Sequence, residues 1–355
     1  MKYNKFKCEK NAINDFIKLP QMLYSRDTNM EDVQQTRSLL LGSHVLSKYF
    51  HLDKFLIYQE EKIAGRFCIT SYPDDDTAYI GFFECINNSD VAKYLFDTAY
   101  DFAKDSGFKK IVGPVDASFW IKYRLKINMF DHIPYTCEPY NKEFYFEFFK
   151  ANQYEVIEHY TSNIFPIIDD RYYNGKFEIR YESYLKKGYK IISPDIRDYD
   201  KIIEELYYMI IELYSDFPIF KMLSLDDFRT IFDSYKYIIK MNMIKMAYYE
   251  NKAVGFFISI PNYYNKVYHI NIINILKIFA LKYKPKEYVM LYMGVDRNHT
   301  GLGKAIVGAI EDELKRNKKP SIGALARDGK ITQRYAEEIV DDKFEYVLLE
   351  RKIYD

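Results

Sequence analysis

The chain repeats a short phrase at a spacing of 190 residues, and this repeat limits its fold more than any other feature. Residues 58–67 read YQEEKIAGRF and residues 248–257 read YYENKAVGFF, so Tyr, Glu, Lys, Gly and Phe recur at matching positions. Each copy has the pattern of a β-hairpin with a short polar turn. The glycine early in each second strand is typical of a β-bulge or a close backbone approach. A repeat unit of this size predicts two homologous domains rather than a solenoid.

The same order of elements surrounds both hairpins, with two helices before each one and a strand, a helix and a strand after it. In the first half we predict helices at 11–18 and 30–41, a strand at 78–86, a helix at 90–105 and a strand at 109–112. In the second half we predict helices at 198–214 and 224–239, a strand at 288–295, a helix at 304–317, a strand at 321–325, a helix at 332–340 and a strand at 345–350. A strand, a long helix and a second strand predict a parallel pair.

The sequence therefore predicts an α/β (α+β) fold in two domains, each a mixed twisted sheet flanked by helices. The predicted boundaries are 1–165 and 188–355, joined by a linker at 166–187 that is rich in charge and tyrosine.

The second half carries an insertion between Pro261 and Pro285. Within it, Ile272, Ile275, Leu276 and Phe279 fall at the i, i+3, i+4, i+7 spacing of an amphipathic helix. Packing against the core is the simpler interpretation of this stripe, and a lid over a substrate pocket is the sharper one.

Composition excludes several classes of function. The 355 residues carry 51 Lys plus Arg and 51 Asp plus Glu without a long basic run, so we expect no nucleic-acid partner. The four cysteines form no C-x-x-C pair and the histidines show no ligand spacing, so we expect no metal. No signal peptide and no apolar run long enough for a membrane span is present, and we expect a cytoplasmic protein with no membrane partner.

The segment 294–305, GVDRNHTGLGKA, leaves a predicted strand and enters a predicted helix. Glycines there let the backbone approach a ligand, and the first amides of the helix face an anion. A Walker loop is excluded because Asn298 and Ala305 stand where Gly and Ser or Thr are needed. A dinucleotide fingerprint is weak because Ile306 replaces its third small residue.

The remaining pattern resembles the coenzyme A pyrophosphate loop of GCN5-related N-acetyltransferases (GNAT). That loop reads Gln or Arg, two residues, Gly, one residue, then Gly or Ala; both glycines match here, and Asn298 replaces the first residue. The whole chain also resembles a group of two-domain bacterial GNAT proteins of poorly defined substrate. The shared phrases are Ile80–Glu84, Gly113-Pro114 and Pro139-Tyr140-Asn141. The resemblance implies tandem GNAT folds.

The resemblance also implies roles for particular residues. Acetyl-CoA, or another acyl-CoA, would be held by Met293, Gly294, Val295, Asn298, His299, Thr300, Gly301, Leu302, Gly303 and Lys304. Tyr335 would be the general acid, Glu287 a candidate base by position alone, and Tyr214, Phe217 and Phe220 would form the acceptor pocket. The implied reaction is direct attack of a small-molecule or peptide amine on the thioester, without a metal.

The first half lacks an equivalent glycine loop. Asn88 or Ser89 would cap its helix, and Asp90 would place negative charge where a pyrophosphate should bind, so we interpret residues 1–165 as a degenerate GNAT-like domain. Two alternatives stay open: a Fem-type transferase that uses aminoacyl-tRNA, and a non-catalytic module that binds acyl-CoA or a partner.

Overall fold

The computed structural model describes residues 1–354, apart from the side chain of Ile331. It divides into two compact units. Unit 1 comprises residues 1–160 together with the chain from Glu345 onward, and unit 2 comprises Thr161–Phe344.

Unit 1 follows the predicted order of elements, with one strand added before it and three short strands, a helix and part of a longer strand added after the parallel pair. Its elements are β1 (Lys2–Phe6), α1 (Lys10–Leu23), α2 (Val33–Leu40), β2 (His51–Gln59), β3 (Lys62–Ser71), β4 (Thr77–Cys85), α3 (Ser89–Asp105), β5 (Lys110–Gly113), β6 (Val115–Asp116), β7 (Lys122–Tyr123), β8 (Leu125–Lys126), α4 (Tyr145–Ala151) and the first part of β9 (Glu155–Phe165).

Unit 2 repeats this order around the second hairpin. Its elements are the end of β9, α5 (Gly175–Lys186), β10 (Lys190–Ile192), α6 (Tyr199–Tyr214), α7 (Leu225–Phe232), β11 (Ile244–Tyr249), β12 (Lys252–Pro261), α8 (Ile272–Tyr283), β13 (Tyr288–Val295), α9 (Leu302–Asn317), β14 (Ser321–Arg327) and the start of β15 (Asp342–Lys352).

The two units have sheets of the same strand order. In unit 1 the order is β1-β2-β3-β4-β5 followed by the end of β15, and in unit 2 it is β10-β11-β12-β13-β14 followed by the end of β9. The pairs β4–β5 and β13–β14 are parallel, as predicted. The antiparallel pairs are β1–β2, β2–β3, β3–β4, β5–β15, β10–β11, β11–β12 and β12–β13.

The repeated hairpins are alike in detail. Both turns have two successive residues in the left-handed region, Glu60 and Glu61 in one and Glu250 and Asn251 in the other. Both second strands shift register just before the repeated glycine, which confirms the predicted bulge.

The repeated glycines make room for a helix on the sheet. A Cβ on Gly65 would lie 3.1 Å from Leu95 Cδ1 of α3, and one on Gly255 would lie 2.7 Å from Ile306 Cδ1 of α9. These helices supply much of the buried core of their units.

The boundaries differ from the predicted ones at two places. The predicted linker 166–187 contains α5, which packs on α9 so closely that a Cβ on Gly308 would lie 2.9 Å from the Phe177 carbonyl oxygen. The predicted strand 345–350 pairs with β5 of unit 1, with Leu349 opposite Gly113, instead of completing the sheet of unit 2. Local patterning shows that a strand exists but not which edge it joins.

The predicted helix at 332–340 is wrong. Two 3₁₀ segments, Ile331–Arg334 and Glu337–Ile339, stand there, separated by Ala336 in the left-handed region. Side chains from elsewhere in unit 2 hold this segment: the Asn163 amide donates to the Gln333 carbonyl (3.1 Å) and the Asn174 amide to the Glu338 carboxylate (2.6 Å). A segment this short gains little from helix propensity alone, so such contacts decide its shape.

The insertion forms α8, but its apolar stripe does not pack on the core. Ile272 is 79% exposed and Phe279 64%, whereas Asn274 on the opposite face is 6% exposed. The periodicity predicted the helix correctly. It could not show whether the apolar stripe faces the core or the solvent. No helix among the described residues is both long and apolar enough to cross a bilayer.

Candidate functional site

The loop between β13 and α9 is built from consecutive turns that leave the helix terminus open. The Asp296 carboxylate accepts the Asn298 N–H (2.9 Å), the Asp296 carbonyl accepts the His299 N–H (2.9 Å), and the His299 carbonyl accepts the Leu302 N–H (3.1 Å). Gly301 then turns the chain at a φ of 93°, a left-handed conformation that favours glycine.

The first turn of α9 has no side-chain cap. The N–H groups of Gly303 and Lys304 have no carbonyl partner within the helix, and they lie at the positive end of the helix dipole. In unit 1 the equivalent helix α3 is different, because the Asn88 side chain accepts the N–H groups of Asp90 and Val91 (2.9 and 3.2 Å). The arrangement in unit 2 therefore leaves donors available for an anion.

Two tyrosines that sequence analysis did not single out hold the loop in place. The Tyr184 hydroxyl donates to the Thr300 carbonyl (2.6 Å), and a Cβ on Gly301 would lie 3.1 Å from that hydroxyl. The Tyr189 hydroxyl is 2.7 Å from Nδ1 of His299, whose ring contacts Tyr189 and Tyr249 edge-on. Neither Tyr184 nor Tyr189 lies in a recognisable sequence motif, so their contact with the loop could be found only from the structure.

The strand β13 parts from β14 beside this loop. The two strands pair from Tyr288 opposite Ser321 to Met290 opposite Gly323, and the described pairing ends there. Against β12, the strand pairs on to Val295 with a register shift between Met290 and Tyr292, which leaves Leu291 as a bulge. The last part of β13, Met293–Val295, is thus paired with β12 on one side. On its other side it lies beyond the last residue that pairs with β14, which is Met290.

Tyr335 reaches the open end of α9 from the segment predicted as a helix. Its hydroxyl lies 2.9 Å from the point where a Cβ on Gly303 would be, and Met293 Cε lies 3.0 Å from the same point. The ring packs edge-on against Phe177 at 5.7 Å between centroids. Burial raises the pKa of Tyr335, so the hydroxyl keeps its proton at neutral pH.

Glu287 lies away from these residues, at the beginning of β13. Its carboxylate accepts the Asn262 side-chain N–H (2.6 Å), and its carbonyl accepts the Asn262 backbone N–H (2.8 Å). Along an extended strand, six residues span about 20 Å, so the structure separates Glu287 from Met293 and Tyr335. Its contacts join the end of β12 to the start of β13.

The predicted acceptor residues follow α6 and reach β13. The Tyr214 hydroxyl lies 3.4 Å from the Met293 carbonyl, the Tyr214 and Phe217 rings stack at 5.1 Å, and the Phe220 N–H donates to the Phe217 carbonyl (3.0 Å). Sequence analysis missed Arg327, at the end of β14, whose guanidinium lies 5.2 Å from the Phe217 ring centre.

The equivalent place in unit 1 is filled by its own chain. The Ile86 N–H donates to the carbonyl of the residue before Gly65, and the Asp296 N–H donates to the carbonyl of the residue before Gly255. Ile86 and Asp296 therefore occupy equivalent positions in the two units. By this count Gly81 corresponds to Leu291 and Phe82 to Tyr292. A Cβ on Gly81 would lie 1.8 Å from the Val115 carbonyl oxygen, and the Phe82 N–H donates to the Asp116 carboxylate.

No protein-family model and no curated protein matches the chain. Among solved structures, it is similar to a tandem GNAT protein from the clavulanic acid biosynthesis pathway, solved without AcCoA. The two are 10% identical with a TM-score of 0.54, and the match covers 100% of this chain and 99% of the other.

A second match is the GCN5-related glucosamine N-acetyltransferase region of a fungal multi-domain GH3 β-N-acetylglucosaminidase. It is 12% identical with a TM-score of 0.54 and covers 98% of this chain but 38% of the other. A structure of FemX is matched over 99% of this chain with a TM-score of 0.39. Together with the sheets described above, the first two matches show that the chain has the tandem GNAT fold.

Proposed function

We propose that this chain, with its tandem GNAT fold, is an acyl-CoA-dependent N-acyltransferase whose coenzyme site lies in unit 2. The observation that carries the proposal is the uncapped start of α9 beside the point where β13 parts from β14. Acetyl-CoA is the donor we propose, and a small-molecule or peptide amine is the acceptor.

The loop residues fit a pyrophosphate. The N–H groups of the first turn of α9 supply several donors to one anion, and Lys304 adds a positive charge next to them. A side chain at Gly303 would press on Tyr335 and Met293, so it would disturb the first turn of α9. When bound, acyl-CoA supplies a thioester whose acyl group an amine can accept.

The strand supplies the polar groups that the reaction needs. Backbone N–H groups of β13 around Met293 to Val295 would hold the carbonyl oxygen of the thioester as negative charge develops on it. Tyr335 would give its proton to the departing thiolate, and its raised pKa suits a donor rather than a base. Since the amine has a pKa near ~10, it must lose a proton before it attacks. Glu287, just before β13, lies too far from Met293 to be our choice for that step.

Unit 1 is proposed to bind no coenzyme. Asn88 already caps α3, and Val115 and Asp116 occupy the place that corresponds to the opening in unit 2. The Fem-type alternative gains no support from the balanced charge of the chain, which offers no excess of basic residues for tRNA.

The test is release of free thiol from acetyl-CoA in the presence of a panel of primary amines, including polyamines, amino sugars and lysine peptides. The proposal predicts release that depends on the amine and follows saturation kinetics in both substrates. Binding of acetyl-CoA without release by any amine would support the non-catalytic alternative, and no binding at all would contradict the coenzyme site.

A further inference from the structure

Unit 1 contains a pocket lined by buried charged side chains that the proposed function does not use. Its empty space is about 430 Å³ when the open solvent at its mouth is included, and the phrases Ile80–Glu84, Gly113-Pro114 and Pro139–Asn141 all contribute to its walls. The strand β4, the short strands β6 to β8 and the start of α4 place these residues around one opening.

Glu84 offers one free carboxyl oxygen in this pocket. Its Oε2 accepts the hydroxyls of Tyr24 (2.9 Å) and Tyr145 (2.7 Å), while Oε1 has no hydrogen-bond partner among residues 1–354. Burial raises the pKa of Glu84 to about 7. The charged groups that act on it are Arg66, Lys122 and Glu31, besides the two tyrosines.

Most of the other charges in the pocket neutralise one another. Arg66, 1% exposed, forms two hydrogen bonds to Glu31 (2.9 and 3.2 Å), and Lys122 pairs with Asp116 (2.8 Å). Arg124 differs: its Nη2 donates to the Tyr123 hydroxyl, its buried Nε has no acceptor, and it has no carboxylate partner among the described residues. The Tyr123 and Tyr160 rings lie 3.7 and 4.2 Å from its guanidinium carbon.

We propose that this pocket binds a small zwitterion of the amino-acid class, with its carboxylate on Arg124 and its ammonium on Glu84. A guanidinium that lacks a carboxylate partner selects a carboxylate, because its remaining N–H groups can bind the carboxylate oxygens. A carboxylate with one free oxygen, surrounded by tyrosine rings, selects an ammonium. With Glu84 ionised, a zwitterion leaves the bound pocket electrically neutral, which a simple anion or a simple cation would not.

The probes are the proteinogenic L-amino acids, tested singly by calorimetry on the full chain, with acetate and methylamine as single-charge controls. We expect at least one amino acid to bind while both controls fail, and Glu84→Gln and Arg124→Gln each to weaken that binding by about tenfold or more. Lys62→Gln, on the exposed hairpin of the same unit, is the matched control and should change nothing.

A second readout keeps the test valid if the variants fold poorly. Binding to wild-type protein below pH 7 should release a proton, because the ammonium binds the ionised form of Glu84, and buffers of different ionisation enthalpy measure that release. The proposal is wrong if no amino acid binds, if binding survives Glu84→Gln unchanged, or if no proton is released at pH 6.

The outward face of α8 carries a second, independent inference. Five large apolar side chains, those of Ile272, Ile275, Leu276, Phe279 and Tyr283, point to solvent, and Tyr283 is 82% exposed. From 263 to 286 the chain has five lysines and no acidic residue, although the whole protein is neutral. Lys277, Lys284 and Lys286 are exposed and form no ion pair among the described residues.

We infer that this face binds the surface of an anionic lipid bilayer. An apolar helix face whose only charged neighbours in sequence are lysines is the arrangement that lies in the headgroup region of such a membrane. A second copy of the chain is a poorer occupant, since a symmetric interface would bring like charges together. This inference departs from the sequence-based expectation of no membrane partner, which considered membrane spans alone.

Sedimentation with vesicles tests it directly. We expect binding to vesicles of phosphatidylcholine with phosphatidylglycerol, little binding to phosphatidylcholine alone, and release at high salt. Lys284→Gln with Lys286→Gln should weaken partitioning about thirtyfold. Leu276→Ser with Phe279→Ser should abolish it, and Ile133→Ser, at an exposed apolar residue of unit 1, should leave it unchanged. Equal binding to both vesicle types, or no vesicle binding together with a dimer that Phe279→Ser disrupts, would overturn the inference.

Discussion

At the scale of the residue, Tyr335 brings a protonated hydroxyl to the start of α9 from a turn. The sequence singled it out on a helix that does not form, yet its hydroxyl reaches the start of α9 from a turn. What could not be predicted is the set of side chains that shape this turn, because Asn163 and Asn174 are far away in sequence.

Tyr335→Phe removes the proposed proton donor while keeping the ring against Phe177. We expect kcat to fall by about tenfold to a hundredfold with little change in the affinity for acetyl-CoA, because the hydroxyl acts on the leaving thiolate. Steady-state kinetics and calorimetry on the same preparation measure both quantities. Unchanged kcat would remove Tyr335 from the mechanism.

Glu311, buried in α9, gives a pH-dependent prediction. Burial raises its pKa to about 8, and its Oε2 has no hydrogen-bond partner. Since the unfolded chain releases this proton near the ordinary glutamate value, the stability of the folded state declines as pH rises from about 4.5 to about 8.

Glu311→Gln should remove this decline. We expect the variant to gain on the order of 2 to 4 kcal/mol over wild type above pH 8 and little at pH 5, measured by denaturant unfolding at both values. Equal gains at the two pH values would show that ionisation of Glu311 is not the cause.

At the scale of elements, the repeated hairpins were the part that the sequence predicted best. Their polar turns and glycines are local signals, and both gave the expected left-handed turn and bulge. The sequence could not predict that the apolar face of α8 is exposed to solvent, because a helical period shows which residues share a face but not what covers that face.

The repeated glycines should differ in their tolerance of a side chain. Gly255→Ala should destabilise the protein by about 1–3 kcal/mol, because its Cβ would press on Ile306 Cδ1, whereas Gly65→Ala should cost less because Leu95 is farther away. Combining Gly255→Ala with Ile306→Val, which removes that terminal methyl, should recover part of the loss. Denaturant unfolding of the single and double variants measures this, and additive losses would contradict the proposed clash.

The loop before α9 should depend on the hydroxyl that supports it. Tyr184→Phe leaves the Thr300 carbonyl without its partner, so we expect acetyl-CoA to bind several-fold more weakly, corresponding to about 1 kcal/mol. Tyr172→Phe, on a tyrosine that bonds Glu338 instead of the loop, is the control that should keep wild-type affinity. An affinity unaltered by Tyr184→Phe would mean that the loop holds its shape without this bond.

At the scale of the whole molecule, the count of two units followed from one repeated phrase, and the fold class followed from the order of elements. The return of the last strand to unit 1 did not, since strand pairing over more than 200 residues leaves no local mark in the sequence. The two units, although alike in fold, therefore have unequal proposed roles. The start of α9 has no side-chain cap and can bind an anion. The start of α3 is capped, and residues of unit 1 itself fill the place that corresponds to the opening in unit 2.

Calorimetric titration with acetyl-CoA tests this asymmetry most directly. We predict one site per chain, lost in Gly303→Val and kept in Asp90→Val, which places the same side chain in the first turn of the equivalent helix of unit 1. Two sites per chain, no site, or a site that survives Gly303→Val in a folded protein would contradict the central claim.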